Sequence, residues 1–329
     1  MAKGLVTVFG GSGFIGRYTA RALVREGYRV RVACRRPHLA SDVRLAGSPG
    51  WVDLIQANVR HRPSVDAALE GADAVVNLVG ILHESGKQSF DAAQGEGARN
   101  VAEAAAMMGI KTFVQMSAIN VSIGSKSGYA RTKAEAENAV KELIPTATVL
   151  RPSVVFGPED QFFNRFAGMA RFSPALPAIG GGKTKLQPVY AGDVADAIAA
   201  SISSEDAAGK TYELGGPRVY SFNEIYDTIF DMIGRKRFKA PLPFLIAKPM
   251  GLTFGVVFRY IPPFSWGLFG GPPITGDQVT MLREDNVVGE GALTLSDLGV
   301  TELESVESIV PTYLWRFRPY GEFSPSGDN

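Results

Sequence analysis

The stretch LVTVFGGSGFIG, residues 5–16, constrains the fold of this chain more than any other. A β-branched run ends in glycine, glycines recur at Gly10, Gly13 and Gly16, and a helical pattern begins at once. Glycines at those offsets permit a tight turn and let backbone N–H groups approach a pyrophosphate at a helix N-terminus. A glycine triplet alone is weak evidence. One that follows a strand, opens a helix and starts a βαβ series is stronger, because that is the setting the motif needs.

The series continues. Short apolar runs predict strands at 5–9, 29–33, 51–57, 73–79, 112–117 and 147–151, separated by helical patterns at 14–27, 64–71, 96–109 and 129–143. Each helix ends near a glycine or proline, as stop signals should. Strands alternating with helices predict an α/β chain with a parallel sheet covered on both faces. The expectation is a Rossmann-type doubly wound sheet for residues 1–152, followed by a smaller C-terminal α+β domain over 153–329. In that second part the alternation breaks up, with helices expected at 193–204 and 221–234 and a short strand at 211–216.

Composition narrows the chemistry. With 45% hydrophobic and 20% charged residues, the 329-residue chain suits a globular protein. A net charge of +1 provides no general field for nucleic acid, and one cysteine, Cys34, allows no intramolecular disulfide. His38, His61 and His83 have no metal-ligand spacing, so no metal site is expected. The N-terminus MAKGLVTVFGG runs straight into strand pattern, and no secretory signal is expected.

The end of the second strand bears on which dinucleotide would bind. NAD sites usually place an acidic residue there for the ribose 2′-hydroxyl. Here Cys34 is followed by Arg35 and Arg36, two guanidiniums able to pair with a 2′-phosphate. NADP(H) is expected over NAD(H). The competing reading is a solvated basic loop, given Arg25, Arg29, Arg31 and Arg44 nearby.

GYARTK, residues 128–133, sets Tyr129 four residues before Lys133, so both lie on one helix face. A nearby ammonium would ease loss of the phenol proton, which makes the pair a candidate acid/base device. It could equally be an exposed helix start with Lys133 beside Glu137.

Together with Asn58-Val59 after the third strand, NLVG (77–80) after the fourth and Ser117 ending the fifth, these motifs resemble an atypical short-chain dehydrogenase/reductase of the extended type. RPSVVFGPEDQFFNRFAGMARF, GGGKTKLQPVYAGDVA and PPITGDQVTMLREDNVV resemble more closely the NAD(P)H-binding accessory subunit of respiratory complex I and its bacterial relatives. The resemblance covers essentially the whole chain and is most specific in 151–196.

It implies that Gly10, Ser12, Gly13, Phe14, Ile15 and Gly16 line a pyrophosphate, Arg35 and Arg36 a 2′-phosphate, and Asn58 and Val59 an adenine. Leu78, Val79 and Gly80 would lie near the ribose, with Ser117 and Pro152 also in the cofactor site. Lys133 would reach the nicotinamide ribose, with Tyr129 close to the nicotinamide. Catalytic members add a Ser or Thr that holds the substrate oxygen. Laying their fifth strand on FVQMSAINV puts that position at Ala118, and a shift of one residue puts it at Ser117. A methyl cannot donate a hydrogen bond, and the loop of ten residues before Tyr129 is short. Catalysis by Tyr129, Lys133 and Ser117 would then be vestigial or weak.

The implied function is an NADP(H)-binding, non-catalytic accessory or assembly protein of a respiratory NADH:quinone oxidoreductase. The second reading is an NADP-dependent reductase or epimerase-like enzyme acting on a quinone or other apolar molecule. The resemblance also implies a cytoplasmic protein, peripheral on the inner membrane, or one on the matrix side in a eukaryote.

RKRFK (235–239) precedes 36 residues, 240–275, that carry only Lys248 and Arg259 as charges and seven prolines. That is too broken for a spanning helix, which needs roughly 20 consecutive apolar residues. It is expected either to fill the second domain's core or to dock on a membrane surface or a hydrophobic partner. The aromatic tail 313–323 is expected to pack back or to meet a partner.

Overall fold

The computed structural model describes residues 2–86, 88–260 and 275–323; side chains are described for these except 254–260 and Glu322. The chain runs β1 (Leu5–Phe9), α1 (Phe14–Arg25), β2 (Arg29–Cys34), β3 (Val52–Gln56), α2 (Arg62–Leu69), β4 (Ala74–Asn77), α3 (Glu96–Met107), β5 (Thr112–Met116), α4 (Gly128–Leu143) and β6 (Thr148–Pro152). It continues through β7 (Val155–Phe156), α5 (Phe163–Phe172), β8 (Ala175–Ile179), β9 (Lys185–Leu186), β10 (Val189–Tyr190), α6 (Ala191–Ser203) and β11 (Thr211–Leu214). Next come β12 (Tyr220–Ser221), α7 (Phe222–Met232), β13 (Phe238–Leu242) and α8 (Phe244–Tyr260), followed by short helical turns from Gly276 onward.

The chain divides into two compact units that interleave in sequence. The first comprises Met1–Pro152, Ala191–Leu214 and Val288–Glu302; the second comprises Ser153–Tyr190, Gly215–Val287 and Leu303–Asn329. One break between the units falls after Pro152. Residues 191–214 and 288–302, assigned by the sequence to the C-terminal domain, instead join the first unit. The reason is strand pairing: β11 runs parallel to β6, Thr211 opposite Val149 and Leu214 opposite Pro152.

The first unit is a seven-stranded parallel sheet in the order β11-β6-β5-β4-β1-β2-β3. The order reverses between β1 and β4, the switch point outside which open α/β sheets bind ligands. Apolar residues fill both faces. On one, Phe9, Val75 and Phe113 pack with the small residues of α3, including Ala98, Ala102 and Ala105. Elsewhere α1 packs on α6, joined by the Arg25–Asp196 ion pair. Small side chains such as Ala20, Ala22 and Ala195 are buried on these two helices and permit close approach.

The second unit is built on short strand pairs, β7 with β10, β8 with β13 and β9 with β12. Its core is aromatic: Phe156, Phe163, Phe222, Tyr226 and Phe230 interlock with Val310, Tyr313 and Leu314 from the C-terminal end. The sequence-predicted tail therefore packs back in part, while Tyr320 and Phe323 stay exposed. α7 opens with a capping box, Ser221 Oγ accepting from Glu224 N at 3.2 Å and Glu224 Oε2 from Ser221 N at 2.6 Å.

The 240–275 segment departs from the broken chain that its prolines suggest. It begins in β13 and runs as a helix from Phe244 to Tyr260 with Pro249 inside. Residues 261–274 lie outside the described residues. Among the described residues no helix is long and apolar enough to cross a membrane.

Candidate functional site

The cofactor residues read from the sequence lie in the turn after β1 and the first turn of α1, after β2 to β5 and at the end of β6, except the Tyr129/Lys133 pair on α4. At the end of β1 the chain turns at Gly10, whose φ of +77° lies in the left-handed region that glycine tolerates. A Cβ at Gly10 would stand 3.3 Å from Leu78 C and Val79 N, so the first glycine lets β1 lie against the loop after β4. A Cβ at Gly16 would fall 2.5 Å from Gly10 O, so α1 can close on the turn only with glycine there. Gly13 differs: an added Cβ would meet only Gly10 O, at 3.2 Å, and the space beyond is open. Gly13 is also the N-cap of α1 and supplies no side-chain cap. Phe14 and Ile15, in the first turn, and Ser12 are partly buried, and Ser12 O accepts from Arg17 Nε at 3.2 Å.

Arg35 and Arg36 follow β2 and are exposed, with no ion-pair partner among the described residues. Arg17, by contrast, is paired with Asp42. After β3, Asn58 N donates to Ser64 Oγ at 3.0 Å, and Val59 is buried against α3, where a Cβ on Gly97 would come within 2.7 Å of it. Nothing among the described contacts brings Asn58 or Val59 to the glycine turn; they stand two strands away, at the sheet's edge.

In the loop after β4, Leu78 and Val79 lie against Gly10, and Gly80 lies against Lys133. An added Cβ at Gly80 would lie 3.2 Å from Lys133 Nζ. Lys133 is 3% exposed and donates to Met116 O at 3.0 Å. Burial brings its ammonium down to about 8, opposed by the carboxylate of Glu137. Glu137 is itself held by Arg151 in a two-pronged pair of 2.9 and 2.6 Å. Tyr129 packs edge-on against Phe90, ring centroids 5.9 Å apart, and burial pushes its phenol up to about 12.

The sequence spacing suggested that the ammonium would ease ionisation of the phenol. In the structure desolvation dominates and moves Tyr129 the other way. Among the described residues the Tyr129 hydroxyl makes no hydrogen bond to Lys133 or Ser117.

Ser117 begins the loop after β5, its N–H donating to Leu150 O at 2.7 Å. Its Oγ is the one buried side-chain polar atom without a hydrogen-bond partner among the described residues. Ala118 beside it is buried, and Pro152 O accepts from Ile119 N at 3.1 Å. A buried hydroxyl left unpaired costs about 1–3 kcal/mol, which a polar ligand atom would relieve.

Sequence reasoning missed the polar layer beneath this site. Asn77 and Gln115 face each other across β4 and β5 and are joined by a 2.9 Å bond from Asn77 Nδ2 to Gln115 Oε1. Asn77 Oδ1 accepts from Val79 N at 3.2 Å, and Gln115 Nε2 donates to Met116 O at 3.0 Å. The loop at 79 and the Lys133 anchor are thus tied into one buried network. The signal was present: an amide in each of two otherwise apolar strand runs, DAVVNLV and TFVQMS.

The sequence profile of the NAD dependent epimerase/dehydratase family matches residues 6–215. This chain belongs to the NAD dependent epimerase/dehydratase family. Among its relatives, NADH dehydrogenase (ubiquinone) 1 alpha subcomplex subunit 9, mitochondrial, of Arabidopsis thaliana is 36% identical over 303 residues, 89% of this chain and 73% of that protein. The Mus musculus protein of the same name is 32% identical over 330 residues, 98% of this chain and 84% of the relative. In fold the chain is similar to UDP-glucuronic acid 4-epimerase from Bacillus cereus, solved in complex with NAD. That likeness has a TM-score of 0.63 at 21% identity and covers 85% of this chain and all (100%) of the other.

A nicotinamide dinucleotide is the ligand such a family handles, and the residues present fit one. The open space over Gly13, the uncapped start of α1 and the orphaned Ser117 Oγ suit respectively a pyrophosphate, its charge, and a ribose or nicotinamide polar atom.

Proposed function

We infer that this protein is an NADP(H)-binding accessory protein of a respiratory NADH:quinone oxidoreductase, holding its dinucleotide as a ligand rather than turning it over. The observation that carries the reading is sequence identity of 32–36% with subunit 9 proteins over 89–98% of the chain.

Gly10, Ser12, Gly13, Phe14, Ile15 and Gly16 would hold the pyrophosphate. Asn58 and Val59 would border the adenine, and Leu78, Val79, Gly80, Ser117, Tyr129, Lys133 and Pro152 the nicotinamide end. Such a cofactor would supply hydride chemistry when bound. The preference for NADP(H) is supported by the exposed Arg35 and Arg36, which have no ion-pair partner among the described residues, and by the lack of a carboxylate directly after β2. Non-catalytic use is supported by Ala118 beside Ser117 and by a phenol that burial pushes up to about 12.

Docking to a membrane-associated partner is supported by α8, where Leu245, Ile246, Met250 and Leu252 are exposed. The basic cluster before it contributes less than its composition suggests. Arg235 donates to Phe317 O, Arg237 to Ala170 O, and Lys239 pairs with Asp227, leaving Lys236 and Lys248 exposed for headgroups. The implied place is the cytoplasmic face of the inner membrane, or the matrix side in a eukaryote.

The test is affinity isolation of the tagged protein from detergent-solubilised membranes, with identification of co-eluting subunits and of bound nucleotide. Subunits of the oxidoreductase together with NADP(H) are expected. Recovery alone, without nucleotide, would overturn the reading. A second reading, an NADP-dependent reductase of a quinone or other apolar molecule, is favoured by the orphaned Ser117 hydroxyl, which could hold a substrate oxygen. Turnover of NADPH with a quinone panel would establish it.

A further inference from the structure

Gln94 belongs to none of the motifs read from the sequence, yet it is 1% exposed and sits where the nucleotide loop meets α4. It lies in a π-helical turn, Asp91–Gly95, directly before α3. Widened turns of this kind are rare and gather at functional sites.

The chemistry of its neighbours fixes how the carboxamide points. Ile81 N–H can only donate, so the atom facing it at 3.4 Å is Oε1. Nε2 then donates to Thr132 Oγ1 at 3.3 Å, and Thr132 spends its own proton on Gly128 O at 2.9 Å or Tyr129 O at 3.1 Å. The residue after Thr132 is Lys133. A Cβ on Gly80 would stand 3.2 Å from Lys133 Nζ and 3.4 Å from Gln94 Oε1, so both side chains lie against the same glycine. The turn also presents Phe90, which packs on Tyr129.

We propose that Gln94 is a positioning residue of the dinucleotide site, joining the 78–81 loop to α4 and setting where the Lys133 ammonium meets the ligand's ribose. The inference rests on the dinucleotide reading given above. An amide suits the task better than a carboxylate. It both accepts from the loop and donates to Thr132, and it leaves Lys133 without a second anion beside it. The charged or titratable groups around Lys133 are Glu137, held by Arg151, and Tyr129. Asp91 and Glu96 flank Gln94 but are exposed.

The experiment measures binding of NADPH and NADH to the full chain from about pH 6 to about pH 10. It compares wild type, Gln94→Leu and Gln94→Glu, with Lys133→Met as reference for the pH profile. Wild-type affinity should fall as pH rises through about 8, where Lys133 loses its proton. Gln94→Leu should bind about tenfold more weakly or worse at neutral pH. Gln94→Glu sets a carboxylate beside the ammonium, so the midpoint of the alkaline fall should move up by about one pH unit. That shift shows that position 94 lies beside the ammonium, while the loss in Gln94→Leu, which adds no charge, shows that the amide's hydrogen bonds hold the site.

Wild-type-like binding by Gln94→Leu, or an unmoved midpoint in Gln94→Glu, overturns the proposal while leaving the dinucleotide reading intact. If Gln94→Leu does not fold, Gln94→Met, which keeps the side chain's length without its hydrogen bonds, takes its place: binding about tenfold weaker supports the proposal and wild-type-like binding overturns it. Failure of wild type to bind either dinucleotide overturns that reading and this inference with it.

Discussion

Lys133 is the residue whose environment has the clearest consequence in solution. Its pKa of about 8 in the fold lies below the ordinary 10.5, so the unfolded chain binds that proton more tightly. Stability therefore rises with pH wherever the unfolded state holds more protons, here from about pH 8 to about pH 10. Tyr129 acts oppositely, its folded pKa of about 12 lying above 10.0, but only above about pH 10. Urea unfolding of dinucleotide-free protein across that range should show the rise, and Lys133→Met should remove it.

Arg35 and Arg36 permit a second prediction. Charge-assisted bonds to a phosphate contribute about 1.5–3 kcal/mol each. Arg35→Ala/Arg36→Ala should weaken NADPH binding at least about tenfold and leave NADH nearly unchanged. Equal losses for both would make the pair a basic surface only. The Arg pair was legible in the sequence because its meaning depends on one place, the end of β2. Gln94 was not, because its role depends on a π-turn and on Thr132, which lies 38 residues away.

At the scale of elements, sequence periodicity worked where contacts are local. β1 to β6 and their helices emerged within a few residues of their ends, since each strand is an apolar run bounded by turn residues. β11 also emerged as a strand, but its place in the first sheet did not, because its partner β6 ends some 60 residues earlier. α8 was hidden by proline and glycine, which argue against helix locally while tertiary packing overrides them. That packing can be tested at Gly180, where φ is +60° and an added Cβ would lie 2.4 Å from the Phe244 ring at the start of α8. Gly180→Ala combines a left-handed conformation with overpacking and should cost about 2–4 kcal/mol. Adding Phe244→Leu should recover part of the loss, a coupling that a double-mutant cycle would measure.

At the scale of the whole molecule, the proposed function makes the dinucleotide a stabilising ligand of the folded chain. A ligand that binds only the folded state adds stability by mass action, about 2.7 kcal/mol at a hundredfold excess over Kd. Gly13→Val places a branched side chain in the open space over the turn, where otherwise only Gly10 O stands near. It should abolish dinucleotide binding and the rise in Tm that NADPH gives wild type. An NADPH-dependent rise in the variant would remove the glycine turn from the site.

The central claim is that the nicotinamide end binds without reacting, and Tyr129→Phe tests it most directly. The substitution removes the Tyr129 hydroxyl while keeping its ring against Phe90. General acid catalysis by that phenol would account for roughly 10²–10⁴ of any rate. The measurement is respiration-dependent growth of a strain carrying Tyr129→Phe as its sole copy, alongside NADPH retained by the purified variant. The account predicts wild-type growth with full retention. Growth as poor as the deletion strain's, with NADPH still bound, would contradict it and make the protein an enzyme.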